Sequence, residues 1–559
     1  MPQDAFTLRH IARELDEQLR GGKVNKIIQP SRDEIDILLY AGGKTKKLVL
    51  NTNASFARAI LSDIPRTAPD VAPNFCMLLR KYITGAQLLS VAQCGFERIL
   101  AFTFDCCGEF SRATRILYAE IMGKYSNLIL TENGIIAGAL KISSLQENFK
   151  RALFPGVKYL PPEPQDKADP SDETKLCERL SAFQGGDFAE FLFSNISGLA
   201  LPTCRILAQK LEDPDRPFGD NVAKTAQRIR EFIFSDEVSP ALERVNGEAK
   251  DFHARYEGEP YPTVCAAADA YYTERETKRD FNEKKRKLDS LLQARRKKEE
   301  KKLALLRERE NSCADMEKNR IYGELITSNL YALRKGMEGC EVVNYYDENA
   351  ATVRIALDKT LTPAQNAQKY YKKYNKQKRT LAAVAPQKAE AESDLDYTES
   401  MLSALSRAEN TLDLTEIEQE LRDTGILPPE KKKLKNAPVV PFRVFAIGKF
   451  RIFAGRNNVQ NDRLLREAAP DDVWLHTQKY HSSHVLIRTE GRKIPDDVLL
   501  AAAEICTCFS DAKQGNKIPV DYCQRRFVKK PPRAKAGFVT YTDFKTILAD
   551  PKRHSELEI

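Results

Sequence analysis

Within eleven residues near the end of the chain, Arg525-Arg-Phe-Val-Lys-Lys-Pro-Pro-Arg-Ala-Lys535, stand six cations and no acid: Arg525, Arg526, Lys529, Lys530, Arg533 and Lys535. Tyr522 and Phe527 lie beside them. Cations neutralise phosphates and release their counterions, and aromatic rings stack on unpaired bases, so the run reads as an RNA contact. Tyr370-Tyr-Lys-Lys-Tyr374-Asn-Lys-Gln-Lys-Arg379 offers the same chemistry, with a solvated helix face whose rings turn inward as the alternative. In Asn195-Ile-Ser-Gly198-Leu-Ala-Leu-Pro202 a glycine turn separates two apolar helices, the mark of a helix-hairpin-helix. Such a hairpin either presents backbone amides to a phosphate or serves packing alone. His476, His481 and His484 fall close together, but their spacing is loose and no cysteine or carboxylate completes a shell. They are expected to be structural or to face RNA, and neither a metal nor a cofactor is expected. The chain has no Walker A loop, no G-x-G-x-x-G, no G-x-S-x-G and no H-E-x-x-H, so binding rather than catalysis is the expected activity.

The elements that must position these residues divide the chain into four parts, a multidomain α+β protein. Residues 1–172 form an α+β domain. It opens with an amphipathic helix carrying Ile11, Leu15 and Leu19 and continues in strands at 34–40, 47–51, 98–105, 115–120, 127–131 and 135–142. Asn133-Gly134 supplies the last hairpin turn. Prolines at 155 and 161–164 mark a linker, and 173–257 read as a helical helix-hairpin-helix unit. From Thr263 to Tyr322 there is neither Gly nor Pro, and leucines at 288, 291, 292, 303 and 306 keep helical spacing in a Lys/Arg/Glu-rich background. A single helix of about 90 Å follows at 1.5 Å per residue. A second helical stretch, 363–424, is expected to break at Pro386 and to return antiparallel, with a small β-hairpin at 341–346 and 352–357 between the two. Residues 258–435 are thus a long antiparallel coiled-coil arm. Beyond the proline and lysine run at 428–441, residues 436–559 form a compact α+β module whose strands surround one helix at 496–509.

Composition narrows the partners. The chain carries 88 Lys+Arg against 79 Asp+Glu, a formal +9, and is 30% charged and 42% apolar. It holds no apolar run of about 18 residues, and its opening residues lack the pattern of a secretory signal, so a membrane partner is not expected. Twelve cysteines without regular spacing or a C-x-x-C pair read as reduced thiols of a cytoplasmic protein. Both ends are basic, with 21 basic against 15 acidic residues in 1–160 and 21 against 14 in 440–559. Two basic modules on an arm suit a large polyanion touched at separate points.

Several segments resemble a known family. Gly455-Arg-Asn-Asn-Val-Gln-Asn-Asp462, Asp472-Val-Trp-Leu-His476, Ile518-Pro-Val-Asp-Tyr522, Phe527-Val-Lys-Lys-Pro531 and Gly537-Phe-Val-Thr-Tyr-Thr542 are similar to the NFACT-R domain. Asn74-Phe-Cys-Met-Leu-Leu-Arg-Lys81, Glu97-Arg98 and Glu120-Ile-Met-Gly-Lys-Tyr-Ser-Asn127 resemble NFACT-N, and Thr362-Pro363 with Tyr370 to Lys376 resembles the return helix of the coiled-coil region. This is the family of RqcH, the bacterial ribosome quality control factors also called fibronectin-binding protein A. The resemblance implies a factor that binds the 50S ribosomal subunit still holding peptidyl-tRNA and recruits tRNA, in that family alanyl-tRNA. Alanine is then added to the stalled chain without mRNA, the ribosome performing peptidyl transfer. By the same resemblance Glu97 and Arg98 fall on the family's Asp-Arg tRNA-contact pair, with Glu in place of Asp. Glu120, Ile121 and Met122 fall on its Glu-Ile-Met segment, and Asp4, followed by Ala5, on its early Asp-Gly. The family's older name leaves an exported fibronectin-binding adhesin as the alternative.

Overall fold

The computed structural model describes residues 3–107, 112–143, 151–211, 221–255, 257–429, 441–532 and 534–559. The proline and lysine run at 430–440 lies outside them. They fall into two compact units, Met1–Lys278 and Arg279–Ile559.

The first unit opens with helix α1 (Ala5–Leu19), whose Ile11, Leu15 and Leu19 are fully buried. Nine strands follow: β1 (Lys23–Ser31), β2 (Glu34–Ala41), β3 (Lys44–Asn51), β4 (Arg58–Leu61), β5 (Gln87–Gln93), β6 (Ile99–Cys107), β7 (Arg112–Glu120), β8 (Asn127–Glu132) and β9 (Ile135–Ala139). They make one sheet in the order β4-β3-β2-β1-β5-β6-β7-β8-β9, antiparallel at every pairing, with α2 (Asn74–Ile83) packed against it. Asn133 and Gly134 both take positive φ in the β8–β9 turn, the geometry a two-residue hairpin loop requires.

The expected helical unit contains α3 (Glu173–Ser181), α4 (Phe188–Asn195), α5 (Leu201–Lys210) and α6 (Val222–Phe234), but it does not stay helical. Strands β10 (Ala241–Val245), β11 (Glu248–His253) and β12 (Glu259–Pro260) form a small sheet. The reason is legible in Asn246-Gly247, which sits between β10 and β11 with φ of 52° and 80°, a hairpin turn no helix can contain.

Helix α7 (Val264–Asn311) is shorter than the expected 263–322. It ends where Asn311-Ser-Cys-Ala-Asp315 offers side chains that compete for the backbone, as Ser312 Oγ does by donating to the Arg309 carbonyl at 2.7 Å. Helix α8 (Met316–Ser328) resumes after that turn. The expected break at Pro386 does not occur, because α9 (Pro363–Arg407) continues through it. Pro386 is exposed, and its neighbours Val384 and Ala391 are buried against Leu303 and Leu306, so packing offsets the lost hydrogen bond. Within the second unit, Leu288 and Leu292 meet Tyr397, Met401 and Leu405, while Leu303 and Leu306 meet Val384 and Ala391. That inverse order makes the pairing antiparallel. Gly323 of α8 lets the Tyr371 ring approach to where a Cβ would stand 3.0 Å away. Strands β13 (Gly339–Val343) and β14 (Thr352–Ala356) form the hairpin, and α10 (Thr411–Asp423) follows α9.

The C-terminal sheet runs β15-β16-β18-β17-β19-β22, formed by β15 (Arg443–Ile447), β16 (Phe450–Ala454), β17 (Val473–Thr477), β18 (Val485–Arg488), β19 (Ile518–Gln524) and β22 (Lys545–Ala549). The short strands β20 (Val528–Lys529) and β21 (Thr540–Tyr541) pair beside it. Two helices cover it where one was expected. On one face α12 (Asp496–Cys508) buries Ile505 and Cys506 against Leu475, Val485 and Ile487. On the other, α11 (Asn458–Glu467) buries Leu464 and Leu465 with Trp474 and Leu486. The period of two decides the sides: Trp474 and His476 face one way, Leu475 the other. Every cysteine among the described side chains is free, and most are buried; Cys107 lies outside them.

Candidate nucleic-acid interface

Strand register joins two segments far apart in sequence. Ile99 of β6 pairs with Glu120 of β7, and just beyond them the Ile121 amide donates to the Arg98 carbonyl at 2.8 Å. Glu97-Arg98 and Glu120-Ile121-Met122 therefore share one end of the sheet. The β5–β6 turn is fixed as well: Gln93 Nε2 donates to the carbonyls of Glu97 and Ala5, each at 2.8 Å.

The five residues do different things there. Glu120 is buried, takes two hydrogen bonds from the Arg151 guanidinium and another from the Tyr159 hydroxyl at 2.9 Å, and so faces inward. Ile121 is buried. Met122, Glu97 and Arg98 remain half-buried at the surface. Burial raises the Glu97 carboxyl above the usual range, Arg98 opposes that shift, and Asp169 adds to it. A neighbouring anion would favour its protonated form further, and a cation or hydrogen-bond donor its charged form.

Asp4 is buried and fully used. One carboxylate oxygen caps α1 by accepting from the Thr7 amide at 2.8 Å, while the other accepts from the Ala200 amide at 3.0 Å and the Thr203 hydroxyl at 2.6 Å. The Ala5 amide donates to the Gly198 carbonyl at 2.7 Å. Asp4 thus ties the hairpin between α4 and α5 to the start of the chain. Gly198 has φ +77°, and a Cβ there would stand 2.7 Å from Ala5 Cβ and from Phe96. The hairpin glycine is a packing requirement, and the alanine after Asp4 fits against it.

Between this turn and the β5–β6 turn lies a cleft of about 410 Å³, lined by Asp4, Glu97, Arg98, Lys167, Phe193 and the 197–202 turn. Lys167 donates to the Phe193 carbonyl at 2.6 Å and lies 4.7 Å over its ring, which is exposed. Sequence reasoning missed this pair, because nothing links Lys167 and Phe193 until the chain folds. It also passed over Lys124 and Tyr125, which directly follow Met122-Gly123 and stand exposed, the ammonium 4.8 Å over the ring. In the cleft, Lys167 over the Phe193 ring together with Arg98 and a partly desolvated carboxylate can hold a phosphodiester and stack a base; Lys124 and Tyr125 do not line it.

In the C-terminal module the linear run of cations is answered by acids from elsewhere. Arg525 turns inward, its Nε donating to the Leu465 carbonyl at 2.7 Å. Lys530 pairs with Asp462, Lys535 with Asp394, and Arg526 with Asp471 at 3.2 Å. Lys529 and Arg526 are exposed, and Arg533 lies outside the described residues. Of the second basic run, Tyr370 and Tyr371 pack on the β13–β14 hairpin while Lys372, Lys373, Lys376 and Arg379 stay exposed. Of the three histidines, His476 and His484 come together, their rings meeting edge to face at 5.5 Å, both beside Trp474. Among the described residues no cluster fit for a metal ion occurs, and no helix is long and apolar enough to cross a membrane.

Residues 4–438 match the NFACT N-terminal and middle domains, and residues 441–542 match the NFACT protein RNA binding domain. The chain is 33% identical over 577 residues to the Rqc2 homolog RqcH of Bacillus subtilis (strain 168), covering 100% of each. It is 32% identical over 571 residues to the Rqc2 homolog RqcH of Streptococcus suis (strain 05ZYH33), covering 99% of this chain and 98% of that one. Among solved structures, the N-terminal part of the fibronectin/fibrinogen-binding protein from Streptococcus suis is 28% identical, covers 48% of this chain and 98% of that chain, and gives a TM-score of 0.42.

Proposed function

The chain belongs to the NFACT family, with RqcH proteins as its relatives, and on that premise we propose that it serves ribosome-associated quality control in the cytoplasm. In this reading it is a non-enzymatic factor that binds the 50S subunit with its peptidyl-tRNA and recruits alanyl-tRNA. Alanine is then added to the stalled chain without mRNA, and the ribosome supplies the chemistry. What supports the tRNA part is one observation: strand register sets Glu97-Arg98 beside Glu120-Ile121-Met122, with a cleft at their side. The cleft can grip a phosphodiester and stack a base. The test is purification of the tagged chain from cells at low salt, followed by sequencing of the RNA that comes with it. Large-subunit rRNA together with one enriched tRNA, that for alanine, is the expected result. Absence of both, or a mainly extracellular pool of the protein, overturns the reading.

A further inference from the structure

A cavity of about 700 Å³ opens in the second unit between the end of α9 and the sheet face that carries Trp474. Its floor is aromatic. His476 lies parallel to Trp474 at 5.7 Å between ring centroids, His484 stands edge-on to both, and Tyr541 closes the side 4.9 Å from the indole. Burial holds His476 at about 4 and His484 well below its usual range, so these rings are neutral near pH 7. His476 keeps partial exposure at that depth because it faces the cavity.

Among the described residues, three buried polar groups of the cavity lining lack hydrogen-bond partners: Trp474 Nε1, His484 Nδ1 and Arg407 Nε. The Trp474 and His484 side chains are 0% and 2% exposed, and the Arg407 side chain 6%. Unpaired buried donors are uncommon and call for an explanation, and two of these, the indole and guanidinium N–H groups, ask for acceptors. In the lining Asp396 and Glu399 on the α9 wall stand against Arg407, Lys479 and Lys535, so neither sign of charge dominates and a neutral, planar, acceptor-bearing ligand suits the unpaired donors. At the mouth Tyr480 and Phe538 are exposed beside Lys479, and the chain from Lys529-Lys530 passes along it through Pro531-Pro532. A strand whose phosphates follow those cations would bring its bases to the opening.

We propose that this cavity takes one unpaired base of single-stranded RNA, stacked on His476 with its acceptor edge toward Trp474 Nε1 and Arg407, while Lys479 at the rim holds a flanking phosphate. The assignment rests on the RNA-binding reading above and gives the C-terminal module a point of base contact. Trp474 is the sole tryptophan, so its emission reports the cavity directly. Full-length protein is titrated with oligoribonucleotides of a single base type, with an abasic ribose-phosphate chain of equal length, and with free nucleoside monophosphates. At least one base type is expected to quench Trp474 saturably and to bind roughly tenfold tighter than the abasic chain, the size of one stacking contact. Monophosphates should not quench at the same concentrations. Ala536→Phe, which fills the mouth from a loop, should abolish the quenching and the tenfold preference but keep the abasic level of binding. His476→Phe, which keeps a ring on the floor, should retain both. Equal binding of abasic and base-bearing chains, quenching by monophosphates alike, or an Ala536→Phe protein that behaves as the parent each overturns the base pocket while leaving RNA binding intact. Loss of all RNA binding by the parent chain would instead overturn the RNA reading itself.

Discussion

Glu97, Glu120 and Glu420 are the same amino acid in three environments, and the difference decides what each can do. Glu97 is half-buried in the cleft with Arg98 beside it, and Glu120 is held by Arg151 and Tyr159. Glu420 is buried with one oxygen accepting from the Tyr397 hydroxyl at 2.8 Å and from Asn458 at 3.3 Å, while the other has no partner among the described residues. Burial raises Glu420 from 4.5 to about 7, nearby Asp462 adding and Lys530 opposing. A carboxyl whose folded pKa lies above its unfolded one contributes stability that is fully present below about 4.5 and lost as pH rises through 7. The loss is about 3 kcal/mol by the usual conversion. Glu420→Gln keeps both accepted hydrogen bonds without the charge. It should flatten the fall in stability between pH 4.5 and 8 and leave the variant more stable than the parent at pH 8 by urea unfolding. A variant whose pH profile matches the parent's would place the titration elsewhere. At this scale the sequence showed residue types but not their partners. The run Arg525–Lys535 contains no acid, yet Asp462, Asp471 and Asp394 answer three of its cations from distant positions, and Arg525 serves as an internal donor.

Elements were more legible where one local rule governs them. Alternation gave six of the nine strands of the first sheet and missed β1, β4 and β5, and the Asn133-Gly134 turn is where a hairpin requires it. Misreadings arose where two rules competed. Pro386 forbids one helical hydrogen bond, but packing of Val384 and Ala391 keeps α9 whole, and the α7–α8 turn forms without Gly or Pro where the Ser312 hydroxyl bonds the backbone itself. The helix-hairpin-helix was visible as a glycine turn, but its attachment to Asp4 and Ala5 was not, since those residues lie almost two hundred positions earlier. That attachment carries a prediction for the element as a unit. Gly198→Ala must place a Cβ 2.7 Å from Ala5 and Phe96 at a positive φ, where strain and overpacking each cost about 1 to 3 kcal/mol. The variant should unfold at lower urea, and hydrogen exchange should show the loss in both α1 and the α4–α5 hairpin. Exchange raised in the hairpin alone would mean that the Asp4 contact is not what holds it.

At the scale of the molecule, positive charge gathers at both ends of the sequence, while acids outnumber bases in the stretch between 160 and 440. The two basic ends also differ in kind. The first unit presents a cleft with a few specific groups around Arg98, whereas the C-terminal module presents Arg526 and Lys529 on an open surface. A cleft suits recognition of one tRNA, and exposed cations suit phosphates of a large RNA whatever its sequence. The two kinds of binding should therefore separate on mutation. Replacing Arg526 and Lys529 together with Ala should weaken large-subunit binding and lower the slope of log affinity against log salt by roughly one per cation, with tRNA binding unchanged. Arg98→Ala should do the reverse, leaving sedimentation with the 50S subunit and its salt slope as they are while tRNA recruitment and alanine addition fail. The physical ground is that a planar, permanently charged guanidinium grips a phosphate or stacks on a base in one fixed geometry, which neighbouring lysines cannot replace. If both variants lose tRNA and subunit in the same proportion, the two ends do not divide the labour, and a single composite RNA surface would have to replace the two assigned here.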